Sequence, residues 1–383
     1  MKSYFPKQTV SDAEKLSYDY GLKVGKAIET EWFSEDRSIN RYRSNHNEFH
    51  NLRLYARGEQ SIQKYKDELS INGDLSYLNL DWKPVPIIPK FVDIVVNGIA
   101  ERTYDIKAYS QDPFGIEKRT EYMESIMRDM QTKEFNDAAM ENFNMNFYEN
   151  KKEDLPDSKE ELELHMQLSY KQAVELAEEQ ALKVLFEGSN YELIKKRFYY
   201  DLTVLGIGAV KTGYNTSEGV VIDYVDPANL VYSYTESPYF DDIYYVGEVK
   251  TIPVNELAKQ FPHLTESDLE EIMKSKPYNR SNYNSIHVYD KEDTNTIQVL
   301  YFNYKTYMNE VYKVKETGTG ADKIIPKDDN FNPPENKEGG YSRLLRSIET
   351  LYEGAMILGT ERLLKWEMAK NMMRPKSDFT KVK

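Results

Sequence analysis

The sequence contains no cysteine. A chain without cysteine has no disulfide framework, no thiolate zinc site and no cysteine nucleophile, so these classes of protein are excluded. It also has no run of about 18 consecutive apolar residues, and residues 1–6 lead into a charged segment instead of an apolar signal core. We therefore expect neither a membrane-spanning protein nor one exported by a signal peptide.

Basic residues are fewer than acidic ones. The 383 residues include 50 Lys and Arg against 64 Asp and Glu, which gives a formal net charge of −14. Residues 111–190 hold 19 acidic and 9 basic side chains, whereas residues 337–383 hold 6 acidic and 10 basic ones. A protein that grips a duplex needs clustered cations, so the chain as a whole is expected to repel DNA and to touch it only locally.

The N-terminal half has the periodicity of helices. Ser11 opens a capping-box pattern, and a second helix is predicted over residues 39–57 and ended by Gly58. The broad apolar face of residues 91–100 predicts a buried helix. The acidic segment predicts long amphipathic helical runs separated by a breaker at residues 154–157.

The C-terminal half changes from alternation to a helical pattern. After a predicted helix at residues 191–205, alternating apolar residues predict a hairpin and further β segments up to residue 316. Glycine, proline and charge mark residues 317–340 as a linker. Beyond it, apolar residues recur at steps of four and three, which predicts one helix over Tyr341–Arg374, about 50 Å long. The spaced apolar residues are Leu344, Ile348, Leu351, Ala355 and Leu358.

None of the candidate chemical motifs is complete. Residues 208–213 have the glycine spacing of a phosphate loop, but the lysine and hydroxyl that should follow are missing. His46 and His50 share a helix face without the glutamate that a metal motif places directly after the first histidine, and residues 241–242 are interpreted as a solvated turn. We therefore predict no cofactor, no metal and no enzymatic activity.

The predicted C-terminal helix carries the only strongly basic stretch. On an acidic protein such a stretch could touch phosphates without gripping them. The candidate contacts are Arg362, Lys365, Lys370, Arg374, Lys376 and Lys381.

Four colinear segments resemble one family. Residues 54–60 contain a Tyr-x-x-Gly-x-Gln element, and residues 81–102 begin Asp-Trp-Lys-Pro-Val-Pro and continue into an apolar helix. Residues 200–214 give a helix ending in glycine and then a hairpin, and residues 225–232, with residues 240–245, give an Asp-Pro turn between strands. In this order the segments resemble the portal proteins of tailed bacteriophages, most closely those of the crAss-like phages.

The resemblance implies an α+β fold, with a portal-like wing of helices and antiparallel β segments leading into a long stem helix. Portals continue beyond their first stem helix, so we expect the C-terminal part of the protein to be missing from this chain. The implied divisions are an N-terminal arm with a helix (1–38), wing helices (39–110), an acidic helical insertion of the wing (111–190), an α+β wing (191–316), a linker loop (317–340), and a stem helix with the start of the following segment (341–383).

The same resemblance implies a ring of about twelve subunits at one capsid vertex, a channel for double-stranded DNA during packaging and ejection. The implied partners are further copies of the chain, the major capsid protein, terminase during packaging, tail or connector ring proteins and, transiently, DNA, with no membrane. The protein would be assembled in the host cytoplasm and located in the virion, and the six cations would face or brace the channel.

Two alternatives stay open at this stage. One is a magnesium-dependent DNA-processing enzyme in which Asp241, Asp242 and Glu248 bind the metal. The other is a non-portal virion scaffold protein that uses the acidic helices of residues 116–187 as a partner surface.

Overall fold

The structure is a computed structural model. It describes residues 5–33, 40–70, 79, 81–83, 85–102, 104–143, 145–151, 155–215, 219–274, 296–316, 322–328, 331–332, 341–369 and 377–382. Over these residues the fold is α+β, as the sequence predicts, and the strands pair antiparallel. The chain divides into two compact units, a main unit of residues 1–101 and 192–383 and a helical unit of residues 102–191.

The elements follow one another as helices first and then mostly strands. The helices are α1 (Asp12–Lys15), α2 (Tyr18–Trp32), α3 (Arg41–Arg57), α4 (Gln63–Leu69), α5 (Ile88–Ala100), α6 (Pro113–Gln131), α7 (Lys133–Phe143), α8 (Lys159–Leu168), α9 (Ala173–Gly188), α10 (Tyr191–Leu205), α11 (Val254–Gln260) and α12 (Glu266–Lys274). The strands are β1 (Gly208–Asn215), β2 (Gly219–Val225), β3 (Leu230–Tyr232), β4 (Tyr245–Pro253), β5 (Thr296–Glu316), β6 (Asp322–Lys327), β7 (Tyr341–Ile357), β8 (Leu363–Met368) and β9 (Phe379–Val382).

Caps explain where several helices begin and end. Ser11 caps α1 as its pattern predicts. Ser17 then caps α2, so the N-terminal segment forms two helices where one was expected. Helix α3 ends where predicted because Gly58 adopts φ 74°, the left-handed conformation that a side chain disfavours.

A large sheet forms the centre of the main unit. Its strand order is β3-β4-β5-β7-β8, and β6 pairs with the outer end of β5. On one face α2 buries Val24 and Ile28 against the sheet, in a core that includes Phe302 and Met356. On the other face α11 and α12 pack against Val299 and neighbouring residues. Apolar burial on both faces fixes the register of the central strands.

A smaller sheet of order β2-β1-β9 packs beside the large one. Ala209 of β1 and Phe379 of β9 share a core with Val246 of β4. Residues 208–213, which have the glycine spacing of a phosphate loop, lie in β1 and form the first strand of a hairpin.

The predicted stem helix over Tyr341–Arg374 is wrong. Within this range the described residues form β7 and β8, and β7 pairs with β5 from Tyr341 to Ile357. Because β7 is buried on both faces in its inner half, apolar residues occur at odd and even positions and no two-residue alternation appears. The irregular spacing then imitates a helical period.

The helical unit consists of α6 to α9. Each predicted acidic run divides into two helices, the first at Thr132 and the second over residues 169–172. Ile126, Leu162 and Met166 form its small core, and the Asp129 carboxylate accepts the backbone N–H groups of residues 149 and 150. The acidic segment 111–190 lies within this unit.

Helix α5 is only partly buried, which corrects the prediction of a buried helix. Val92 and Val96 face the protein, but Phe91 and Ile94 are about 60% exposed and Val95 is also exposed. An apolar stripe wider than the surface that covers it leaves part of α5 in contact with solvent. No helix of the described residues is long and apolar enough to cross a membrane.

Candidate functional site

The predicted phosphate contacts that the structure describes do not share a helix face. Arg362 lies in the turn between β7 and β8 and forms ion pairs with Asp268 and, at 3.2 Å, with Glu271. Lys365 lies on β8, with its Nζ 2.8 Å from the Glu353 carboxylate. Both cations are therefore held by carboxylates of their own chain. The other three candidates of this stretch, Lys370, Arg374 and Lys376, lie outside the described residues.

Lys381, the remaining candidate, is buried on β9. Its Nζ lies 3.4 Å from the backbone oxygen of Phe379, to which it donates. Burial lowers the pKa of Lys381 to about 8, and the charge of nearby Lys305 acts in the same direction. A buried lysine of this kind is not a surface cation available to a polyanion.

An ion cluster joins α3 to residues far along the chain. Both Arg53 Nη atoms reach the Asp226 carboxylate, at 3.1 and 2.7 Å, and Nη2 also lies 3.0 Å from the Asp201 carboxylate. Asp201 additionally accepts the Tyr224 hydroxyl. The Arg53 guanidinium therefore links α3 to the end of α10 and to the turn before β3.

Burial and pairing act in opposite directions on the two carboxyls of this cluster. Burial alone would raise the pKa of Asp226, but the hydrogen bond and charge of Arg53 lower it overall. Asp201 is almost fully buried, and burial raises its pKa despite the same guanidinium. The positive charge of Arg53 thus balances the charge of two carboxylates. Removing Arg53 would leave Asp201 buried without its cation.

The four segments that carry the family resemblance meet around this cluster. Arg53 lies one residue before the first segment, Asp201 belongs to the third and Asp226 to the fourth. The second segment joins them where Pro86 packs against Gly58, since a Cβ added to Gly58 would lie 2.9 Å from the Pro86 Cβ. Sequence reasoning found the segments but missed their meeting point, because it depends on contacts over about 150 residues.

A groove between α3, α5 and α10 adjoins the cluster. Its volume is about 710 Å³. Ala56, Val92 and Val96 supply apolar floor residues, and Arg57 and Lys196 supply exposed cations at its margin. The groove has the apolar floor and polar rim that are common in binding sites.

A second cleft, between β1 and the large sheet, is charged. It has a volume of about 610 Å³, and Lys211, Asp378, Glu353 and Lys365 contribute to its lining. Burial lowers the pKa of Lys211 and raises the pKa of Asp378. Positive and negative side chains are mixed in this cleft, so it does not present a surface of one charge.

The carboxylates of the enzyme alternative do not come together as a metal site. Asp242 accepts the Thr235 hydroxyl and, at 2.9 Å, the backbone N–H of Glu236, which makes it a turn-forming residue. Glu248 is buried on β4, 3.4 Å from Lys250 Nζ. Over the residues that the structure describes, no group of three or more His, Asp or Glu side chains could hold a metal ion.

One of the two α3 histidines, His46, contacts the turn before β3. His46 Nε2 lies 3.1 Å from Asn229 Oδ1, and the Tyr42 hydroxyl donates to the same oxygen at 3.1 Å. These contacts tie α3 to the turn before β3, in agreement with a structural role for His46.

Comparison with known proteins gives no assignment. No protein-family model matches this chain, and no curated protein matches it.

Proposed function

We propose that this chain is the wing portion of a portal protein of a tailed bacteriophage, and that it acts as one subunit of a ring of about twelve copies through which double-stranded DNA passes. In this proposal it binds its own copies, the major capsid protein, terminase and tail or connector proteins, and it has no catalytic role. It would be assembled in the host cytoplasm and located at the portal vertex of the virion.

The observation that carries the proposal is the convergence of the four resembling segments. Segments of one ancestral domain are expected to lie together in its fold. Here Arg53, Asp201 and Asp226 form one ion cluster, and Gly58 contacts Pro86 beside it. Colinearity and convergence together favour a common architecture over chance similarity.

The surface of α5 supports assembly. Phe91, Ile94 and Val95 form an apolar patch next to the groove at α3 and α10. Contiguous exposed apolar residues on an otherwise charged protein are typical of surfaces that bind protein. A ring covers such a patch in every subunit by repeating one head-to-tail contact.

Residues 341–374 are not proposed as a stem helix, because β7 and β8 occupy the described part of that range. The channel contacts are likewise not assigned to Arg362, Lys365 or Lys381.

Native mass spectrometry and negative-stain imaging of the purified chain test the proposal. We expect a closed ring of about a dozen copies with a central hole, formed above a threshold protein concentration. A chain that stays a monomer or dimer across protein concentrations and salt conditions would refute it.

A further inference from the structure

The charged cleft beside β1 contains a lysine that lies between aromatic rings. Lys211 lies on β1 directly opposite Phe379 of β9, and its half-buried side chain contributes to the lining of the cleft. Its Nζ lies 5.3 Å from the centre of the Tyr301 ring and 5.0 Å from that of Phe379. Within the described part of the chain, no hydrogen bond or salt bridge holds this Nζ. Aromatic rings therefore take the place of an anionic partner.

The two nearest strand carboxylates are held by other lysines. Lys250 Nζ lies 3.4 Å from Glu248 Oε2 on β4, and Lys365 Nζ lies 2.8 Å from Glu353 Oε2 on β7. Because these pairs compensate the carboxylates, Lys211 receives only part of their charge.

The charges around Lys211 do not offset its burial. Burial has the largest effect and lowers the pKa of Lys211, and the charge of Lys250 acts in the same direction. Glu248, Asp378 and Glu353 act in the opposite direction without restoring the ordinary value. Lys211 therefore becomes a neutral amine, which is the nucleophilic form, at a lower pH than an exposed lysine does.

Asp378 supplies a carboxyl group to the same cleft. Its backbone oxygen accepts the Thr212 N–H at 2.9 Å, which holds Asp378 next to β1. Burial raises the pKa of Asp378, and the charge of Glu353 acts in the same direction. A carboxyl group that keeps its proton to a higher pH is suited to general acid–base catalysis.

The walls of the cleft suit a neutral aromatic molecule. The rings of Tyr301 and Phe261 are nearly parallel, at 16°, with their centres 6.5 Å apart. The Tyr301 hydroxyl donates to Gln260 Oε1 at 2.6 Å, which fixes this wall. The volume of about 610 Å³ is in the range of small-molecule sites. Two lysines and three carboxylates line the cleft, so an anionic ligand is disfavoured.

We propose that Lys211 is a covalent binding site for a small neutral aromatic aldehyde, which condenses with its Nζ to form a reversible imine. The nitrogen lone pair forms a bond to the carbonyl carbon, and the bond between that carbon and its oxygen then breaks. The nitrogen gives up two protons and the oxygen leaves as water, with Asp378 passing protons between them. Nothing is oxidised or reduced. The inference goes beyond the proposed function, which does not involve a reactive amine.

Reductive labelling of the full chain tests the inference. The chain is incubated at pH 7.5 with benzaldehyde and cyanoborohydride, which reduces an imine to a stable secondary amine. Peptide mass spectrometry then gives the labelling rate of each lysine. We expect Lys211 to react at least about tenfold faster than the exposed Lys90 and Lys259, because more of it is neutral and the cleft holds the aromatic ring.

The pH profile and an anionic probe give two further readouts. Between pH 7 and pH 9.5 the rates of Lys90 and Lys259 should rise about tenfold per pH unit, whereas the rate of Lys211 should level off at a lower pH. With 4-carboxybenzaldehyde, the rate of Lys211 relative to these lysines should be at least about threefold lower than with benzaldehyde, because carboxylates line the cleft.

Gly213→Phe tests the cleft without changing Lys211. Residue 213 lies two positions along β1, on the same face as Lys211, and it lines the cleft. A Cβ at this position meets no atom within 4 Å, so a ring there should narrow the cleft. We expect Lys211 to react at least about fivefold more slowly and the exposed lysines to be unchanged. Gly213→Ala is the matched control and should keep the wild-type rate, and circular dichroism checks the fold of both variants.

Three results would overturn the inference. The first is a rate for Lys211 no higher than the rates of the exposed lysines. The second is a Gly213→Phe variant that reacts like the wild type, since the cleft would then have no part in the reaction. The third is faster labelling of Lys381, which has a lowered pKa but is buried on β9 and does not line the cleft. That result would make the lowered pKa alone the cause of reactivity.

Discussion

At the scale of single residues, burial and pairing decide which cations are available. Arg362, Lys365 and Lys381 are similar in sequence, yet two are ion-paired and the third is buried on β9. The carboxylates that pair with Arg362 and Lys365 lie on α12 and β7 and are brought close only by the fold. Composition therefore identified a basic stretch but could not show that these charges are paired or buried within the protein.

Lys381 should make stability depend on pH. Its pKa in the folded protein is about 8, below the ordinary value near 10.5, so the folded state binds the proton less well than the unfolded state. Stability should therefore be constant below about pH 8 and rise above it, by up to about 2 kcal/mol at pH 9.5. Urea unfolding at pH 7.0 to 9.5 measures this gain.

The control for this prediction is Lys381→Met, which keeps the length of the side chain and carries no charge. Its free energy of unfolding should lack the increase above pH 8. An equal increase in the variant would show that other groups cause it.

The Arg53 cluster illustrates the same limit on sequence reasoning. Asp201 and Asp226 follow Arg53 by 148 and 173 residues. No local pattern connects residues at such separations. The segments around them could be picked out by their resemblance, but the ion pairs that unite them required the fold.

At the scale of elements, local signals predicted the helices and long-range pairing decided the strands. Helix α3 and helix α10 match their predicted ranges closely, because caps and an apolar period are local properties. Strand β7 does not follow this rule. Its hydrogen-bond partners come from β5 and β8, and its two buried faces conceal the alternation that identifies a strand.

The packing of side chains across the large sheet explains why residue 354 is a glycine. Phe302 of β5 lies between Gly247 of β4 and Gly354 of β7, and Gly354 in turn lies opposite Trp366 of β8. A Cβ on Gly354 would lie 2.4 Å from the Phe302 ring. The two aromatic residues thus use the space that the glycines leave.

Gly354→Ala should destabilise the main unit by about 1–3 kcal/mol, because the Phe302 ring must leave its position in a closed core. Urea unfolding followed by tryptophan fluorescence measures the change. The control is Gly213→Ala on β1, where an added Cβ meets no atom within 4 Å and stability should change by less than about 0.5 kcal/mol. If both variants are equally stable, Phe302 is free to rearrange.

At the scale of the whole molecule, apolar surface should drive association. If the proposed ring covers the patch on α5, Ile94→Asp should weaken self-association at least about tenfold, because a buried carboxylate without a partner is costly. Sedimentation velocity over a range of concentrations measures the effect, and circular dichroism should show an unchanged fold since Ile94 is 59% exposed.

Val92→Asp on the same helix distinguishes association from folding. Val92 faces the protein interior, so a carboxylate introduced there should lower the thermal stability of the chain as well as any self-association. An Ile94→Asp chain that assembles like the wild type would place the contact between copies elsewhere.

The small sheet has a consequence for synthesis. Strand β9, at residues 379–382, completes the sheet by pairing with residues 208–211 of β1. On the ribosome, β1 emerges long before its neighbour is translated, and during that delay one side of the hairpin offers unpaired peptide groups. A nascent chain is therefore most prone to aggregate while the residues between β1 and β9 are being translated. We expect chaperone binding to matter most in that interval.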